Sequence, residues 1–239
     1  MDIQSGTLYV VGTPIGNLED ITLRALDVLK NVDICLTEDT RRTKKLFARY
    51  NIATKMMSCY RFNELSRIAM VTEQLKQGKS FALVSDAGMP GISDPGERLI
   101  RQIISDGIPV EVISGPSSVI HALIVSGLRM DRFTFEGFLP RKGSKRNKRL
   151  AKISADTNTV ILFESAVRLA SLVRDVYTVC GDRHAAVCRE LTKKFEQVVR
   201  GKLSELIDKI KKNELTLKGE LVVVIDGKES FEKKLKKDA

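Results

Sequence analysis

The chain has 239 residues, 40 Lys and Arg against 30 Asp and Glu, a formal net charge of +10 and 43% hydrophobic residues. That length holds one large domain or two small ones, and the composition is that of a soluble globular protein. No apolar run approaches a membrane span, the start MDIQSGTLYVV lacks a signal-peptide pattern, and the four cysteines are scattered with no CxxC and few histidines; a metal site or disulfide framework is therefore not expected, and a cytoplasmic location is.

In chain order, TLYVV (7–11), DICLT (33–37), SFALVS (80–85) and IPVEVIS (108–114) read as buried strands. Amphipathic helices are expected between them, near 20–31, 40–49, 64–77 and 95–106. Alternating strands and helices predict an α/β domain around a mostly parallel sheet. After Pro116 the pattern changes. One helix near 117–126 is followed by RFTFEGF, a basic stretch, TVILFES, HAAVCREL, FEQVVRG and GELVVVIDG, which predicts a mixed sheet with fewer helices. The expected division is 1–115, 116–228 and a mobile basic tail at 229–239.

Three loops fall where these strands end. Gly12-Thr13-Pro14-Ile15-Gly16-Asn17 is neither a GxGxxG nor a Walker A loop, yet it sits at a carboxyl strand end, where open α/β sheets bind ligands. In SDAGMPGISDPG (85–96) the second half reads as a helix start, with Asp94 as cap, Pro95 at the first position and Glu97 at the third. The first half does not reduce to a cap: Gly88 and Gly91 allow close backbone approach to a ligand, and Asp86 ends a buried strand. In ISGPSSVIHAL, Ser117 and Ser118 open a helix, either as an anion or ribose contact or simply as capping residues.

Taken together, GTLYVVGTPIGNLEDITLRAL, TEDTRRTKKLF, FNE, LVSDAGMPGISDPG, SGPSSVIHALIVSGL, FEGFLPRK, FES, CRELTKKFEQVVRG and KGELVVVIDG resemble, in order, the bacterial small-subunit ribosomal RNA cytidine-2'-O-methyltransferases of the tetrapyrrole methylase superfamily. The likeness runs from about residue 6 to 227. It implies a two-domain tetrapyrrole methylase-like fold, a homodimer, and S-adenosylmethionine in the cleft between the domains. Carried onto this sequence, the cofactor contacts would be Ile15, Asp86, Ala87, Gly88, Met89, Ser117 and Ser118, with Glu164, Leu191 and Lys218 at later strand ends. Three departures stand out. The family's HNE is Phe62-Asn63-Glu64, its ESPHR is Glu164-Ser165-Ala166-Val167-Arg168, and its LTKxHE is Leu191-Thr192-Lys193-Lys194-Phe195-Glu196, so a histidine base is excluded at each place.

A ribose hydroxyl attacks only as its proton leaves, so a carboxylate or an unprotonated lysine is needed nearby. Glu38, Asp39 and Arg41 end the second strand, and Asn63 and Glu64 begin a helix. The catalytic candidates are Asp39 or Glu64 as base or orienter, Asn63 on ribose or base, and Lys193, which like Arg41 would also meet phosphate. Helix capping ahead of Thr40 is the competing explanation for Glu38 and Asp39. The basic net charge and the run 140–149 point to ribosomal RNA, with Arg41, Arg141, Lys142, Lys145 and Arg146 as contacts in a flexible loop; a solvated face is the alternative. With no Trp in the chain, stacking on bases should be modest. Two other functions fit the residues less well: a small-molecule, tetrapyrrole-type methylase, and a non-catalytic RNA-binding assembly factor.

Overall fold

A computed structural model of the protein describes residues 2–228; the expected basic tail lies outside them. The chain forms two compact units, one through Ser117 and one from Ser118. The fold class is α/β, with a wholly parallel first sheet and a mixed second one.

The first unit alternates β1 (Leu8–Val11), α1 (Leu23–Asn31), β2 (Ile34–Thr37), α2 (Thr40–Arg49), β3 (Lys55–Ser58), α3 (Glu64–Lys76), β4 (Phe81–Val84), α4 (Glu97–Ser105) and β5 (Val110–Ile113). The strand order is β3-β2-β4-β1-β5. The central strands β1, β2 and β4 are buried at every position, because side chains alternate between two faces and helices cover both. Tyr9, Val11, Cys35 and Ala82 pack with Val28 and Leu29 of α1 and Leu46 and Phe47 of α2. Leu8, Val10, Leu36 and Leu83 pack with Val71 and Leu75 of α3 and Leu99 and Ile103 of α4. Two expectations change. The strand β3 is an addition, and β5, expected to be buried, is an edge strand with Val112 exposed.

The second unit runs α5 (Ser118–Ser126), β6 (Phe133–Phe138), α6 (Ser144–Ala155), β7 (Thr159–Ser165), α7 (Ala166–Cys180), β8 (His184–Arg189), β9 (Gln197–Lys202), α8 (Leu203–Lys211) and β10 (Glu220–Ile225). Its sheet order is β6-β7-β10-β8-β9. Val160, Leu162, Val187 and Val223 meet α6, α7 and α8 through Leu150, Ile153, Leu169, Leu172 and Leu206, while α5 packs against β8, β9 and β10. The unit is thus richer in helix than expected. Much of the basic stretch 140–149 is the start of α6 rather than a loop.

Candidate functional site

Because all five strands of the first sheet run the same way, their carboxyl ends share one edge. Three of the expected loops meet there. Thr13 and Gly88 exchange backbone hydrogen bonds, Thr13 N–H to Gly88 O at 2.9 Å and Gly88 N–H to Thr13 O at 3.0 Å. A Cβ on Gly12 would stand 2.7 Å from Gly115 Cα and 2.6 Å from Met89 Sδ, so only glycine lets these loops touch. Gly88, at φ +77, has Ile15 and the Pro116 carbonyl beside it. Ile15 is buried and Met89 half-buried. The turn Asp86-Ala87-Gly88-Met89 is therefore held against Ile15 on one side and the 115–116 turn on the other. Ser117 is half-buried just after that turn, and Ser118 is the first residue of α5.

The end of β2 supplies carboxylates to the same edge. The Asp39 N–H donates to Asp86 Oδ1 at 3.1 Å, and Arg42 Nε lies 3.4 Å from Asp86 Oδ2. Asp39 caps α2 by accepting from the Arg41 N–H at 2.9 Å, and its Oδ2 takes Arg41 Nη2 at 2.7 Å. The Arg41 side chain, then its backbone N–H, hold the Asp39 carboxyl down to about 2. That makes Asp39 a weak proton acceptor. Glu38 is the reverse case. Half-buried, its carboxyl is pushed above the ordinary glutamate range by burial and by the Asp86 charge, against the opposing pull of an Asp86 backbone N–H. Of the two, the carboxylate whose proton affinity is raised is the better base. Sequence alone does not single out Glu38, because its burial beside Asp86 arises only when β2 and β4 pair.

Two expected catalytic residues are occupied structurally. Glu64 is buried, and its Oε1 accepts from the Gly96 N–H at 3.2 Å and the Leu99 N–H at 3.1 Å. It thus caps α4, which corrects both its expected role as base and the expected Asp94 cap. The correction follows from the backbone: Gly96 is the cap residue at φ 120, so the helix starts at Glu97, past Pro95. Asn63 spends its amide on the turn before α3, accepting from the Tyr60 N–H at 2.7 Å and donating to Ser58 O at 3.2 Å, so its side chain is not offered to ribose or base.

In the second unit, the expected residues gather at one end of the mixed sheet. Ser165 at the end of β7 pairs with Glu220 at the start of β10, and Arg189 at the end of β8 pairs with Leu221 and Gln197. Glu164 is buried there. Its Oε1 accepts from the Ser165 N–H at 2.7 Å and from Arg168 Nε at 2.6 Å, whereas Oε2 is buried with no hydrogen-bond partner among the described residues. Leu191 is buried and Lys218 exposed. Lys193 Nζ bonds Glu220 at 2.9 Å and Glu190 at 3.0 Å. Burial alone would lower its pKa, but those two carboxylates outweigh burial and raise it. An unprotonated Lys193 base is thereby disfavoured. Arg141, Lys142 and Lys145 are exposed. Arg146 is not: at 6% exposure it donates to Asp175 Oδ2 at 2.7 Å and Pro140 O at 3.0 Å. It locks α6 to α7 and is corrected from RNA contact to internal ion pair.

Among the described residues no cluster suits a metal ion, and no helix is long and apolar enough to cross a membrane.

Loops at the carboxyl edge of a parallel α/β sheet, followed by a mixed-sheet unit, define a class. The chain belongs to the tetrapyrrole (corrin/porphyrin) methylase family, whose sequence profile matches residues 7–207. Within it, the chain is 46% identical over 224 residues to a Thermotoga maritima protein named "Ribosomal RNA small subunit methyltransferase I", covering 94% of this chain and 100% of that one. An Escherichia coli O157:H7 protein of the same name is 41% identical over 239 residues, covering 100% of this chain and 84% of that one. Solved structures agree on the fold. A uroporphyrin-III C-methyltransferase from Thermus thermophilus complexed with S-adenyl homocysteine superposes with a TM-score of 0.65 at 16% identity, covering 92% and 97% of the two chains. A diphthine synthase gives 0.68 at 15%, covering 92% and 89%.

Proposed function

We propose that this protein is an S-adenosylmethionine-dependent methyltransferase that methylates the ribose 2'-hydroxyl of a cytidine in small-subunit ribosomal RNA, in the cytoplasm. The observation that carries the reading is the 41–46% identity, over nearly the whole chain, to proteins named for that ribosomal RNA. The residues fit the cofactor. Gly88 lets the 86–89 turn lie close against Ile15 and the Pro116 carbonyl, and the buried Glu164 Oε2 is an acceptor still in need of a donor.

Bound S-adenosylmethionine supplies an already activated methyl group. The protein's remaining work is to align the acceptor and remove its proton. In this reading Ile15, the 86–89 turn and Ser117 are the cofactor contacts of the first unit, and Ser118, Glu164, Leu191 and Lys218 are the candidate contacts of the second. Glu38 would take the acceptor hydroxyl's proton, and Arg42, beside Asp86, balances the charge of the carboxylate pair. Arg41, exposed at the start of α2 and paired with Asp39 through Nε and Nη2, would meet a phosphate through Nη1. Support for a homodimer comes from the first unit, where an apolar groove of 760 Å³ borders β5 and Ile92, Ile104 and Val112 stand exposed.

The test is methyl transfer to 30S particles from cells lacking the protein, with the 2'-O-methylated nucleotide mapped. Labelled methyl on a cytidine ribose is expected. Transfer to a tetrapyrrole but not to 30S particles, or tight RNA binding with no transfer, would overturn the reading.

A further inference from the structure

The end of the second unit's sheet carries an exposed aromatic side chain that cofactor binding does not use. The β8–β9 connection, 190–196, is an unusually constrained loop. Glu190 and Thr192 both have positive φ, 49° and 64°, a region that a β-branched threonine enters only under constraint. The constraints are visible. The Thr192 N–H donates to Glu196 Oε2 at 2.6 Å, the Glu190 N–H to Glu220 O at 3.0 Å, and Arg189 donates to Phe195 O at 2.8 Å and Lys218 O at 2.7 Å. What they hold in place is an aromatic ring in water. Phe195 is 66% exposed, with the Lys194 ammonium 5.7 Å from its ring centroid.

The surroundings give the partner's chemistry. Sheet pairing sets the loop beside Glu220 and Ser165, and Arg168 ties the start of α7 to Leu139 O at 3.4 Å. The rim therefore continues from Phe195 past Val167, which is 92% exposed, to Arg141 and Lys142. Lys194, Lys218, Arg141 and Lys142 are exposed, and none makes an ion pair among the described residues. A fixed ring amid uncompensated cations suits a chain that carries both flat apolar bases and phosphates.

We propose that Phe195 is a base-stacking residue of a single-stranded RNA contact on this rim, with Lys194 meeting the flanking phosphate. The proposal rests on the ribosomal RNA reading and deepens it, by assigning substrate recognition to the 190–196 loop in addition to the basic stretch near 141. A double helix keeps its bases stacked inside, so the ring would discriminate single strands from duplex.

The experiment measures fluorescence anisotropy of the full chain with a short labelled pyrimidine-rich oligoribonucleotide, single-stranded and annealed to its complement, across a salt series. Phe195→Ala should weaken single-strand binding about 5- to 100-fold, leave duplex binding unchanged and keep the salt slope. Phe195→Tyr should restore affinity and Phe195→Leu should not. Lys194→Gln should reduce the slope by about 1. Unchanged affinity in Phe195→Ala, equal loss on duplex, or full rescue by Leu would overturn the proposal. Thermal melts check folding, and if the Ala variant does not fold, the Tyr and Leu pair carries the same comparison. Failure of Phe195→Ala to weaken binding in a protein that methylates 30S particles refutes the stacking site alone. A stacking effect without methyl transfer refutes the enzymatic reading alone.

Discussion

The two units solve the same problem with opposite strand grammars. In the first, every strand is parallel, so whatever follows β1, β2, β4 and β5 reaches one edge. Loops far apart in sequence thus arrive together without further instruction. In the second, β8, β9 and β10 are antiparallel to their neighbours, so the corresponding rim mixes the ends of β7 and β8 with the beginnings of β9 and β10. A parallel sheet concentrates its loops by topology alone; a mixed sheet has to fix each turn, and the 190–196 loop shows the backbone constraint this requires.

If the first unit's edge is the chemical one, the largest effect belongs to Glu38. Glu38→Gln should lower kcat about 100-fold or more, the range lost when a general base is removed, while Asp39→Asn should lower it only a fewfold. The pH profile sharpens the contrast. The base works ionised, so the wild-type rate should be full above the raised Glu38 pKa and fall as pH drops through it. Asp39, held at about 2, cannot produce a limb in that window. The limb should vanish in Glu38→Gln and persist in Asp39→Asn; a limb that follows Asp39 instead would break the assignment.

Glu64 comes next, and its effect should fall on stability. Glu64→Ala strips two buried N–H groups at the start of α4 of their acceptor, which costs about 2 kcal/mol. The melting temperature should drop while kcat per folded molecule stays within twofold. A collapse of kcat with unchanged melting would return Glu64 to the chemistry.

These cases show what the sequence made legible. The strands β1, β2 and β4 were readable because burial on both faces makes them continuous apolar runs. The strand β3, Lys-Met-Met-Ser, was not, since an edge position leaves it mostly half-buried with Lys55 exposed. The helix α6 was hidden by its charge: only Arg146, Leu150 and Ile153 face inward, so the basic run read as a loop. In the site, the glycine loops could be placed from strand endings alone. The Glu64 contact could not, because it joins residues 32 and 35 positions apart on two different helices' ends. Nor could the sequence separate Glu38 from Asp39: they are neighbours in the chain, and what sets them apart is that the half-buried Glu38 carboxyl feels the Asp86 charge while the Asp39 carboxyl is paired with Arg41.

The smallest effects test the second unit's rim, where adjacent cations have opposite fates. Arg146→Met removes a buried guanidinium that bonds Asp175 and Pro140 O, and should cost about 1–3 kcal/mol of stability with no change in the salt dependence of RNA binding. Arg141→Gln and Lys142→Gln, on exposed positions before α6, should leave the melting temperature within a degree or so and reduce the salt slope by about 1 each. Charge counting along 140–149 treats these residues as equivalent. The helix does not, because α6 turns Arg146 toward α7 and leaves Arg141 and Lys142 ahead of its first turn, in water. A salt slope that falls on loss of Arg146 but not of Arg141 would mean that the internal ion pair opens to meet RNA, and that this rim is rebuilt on binding.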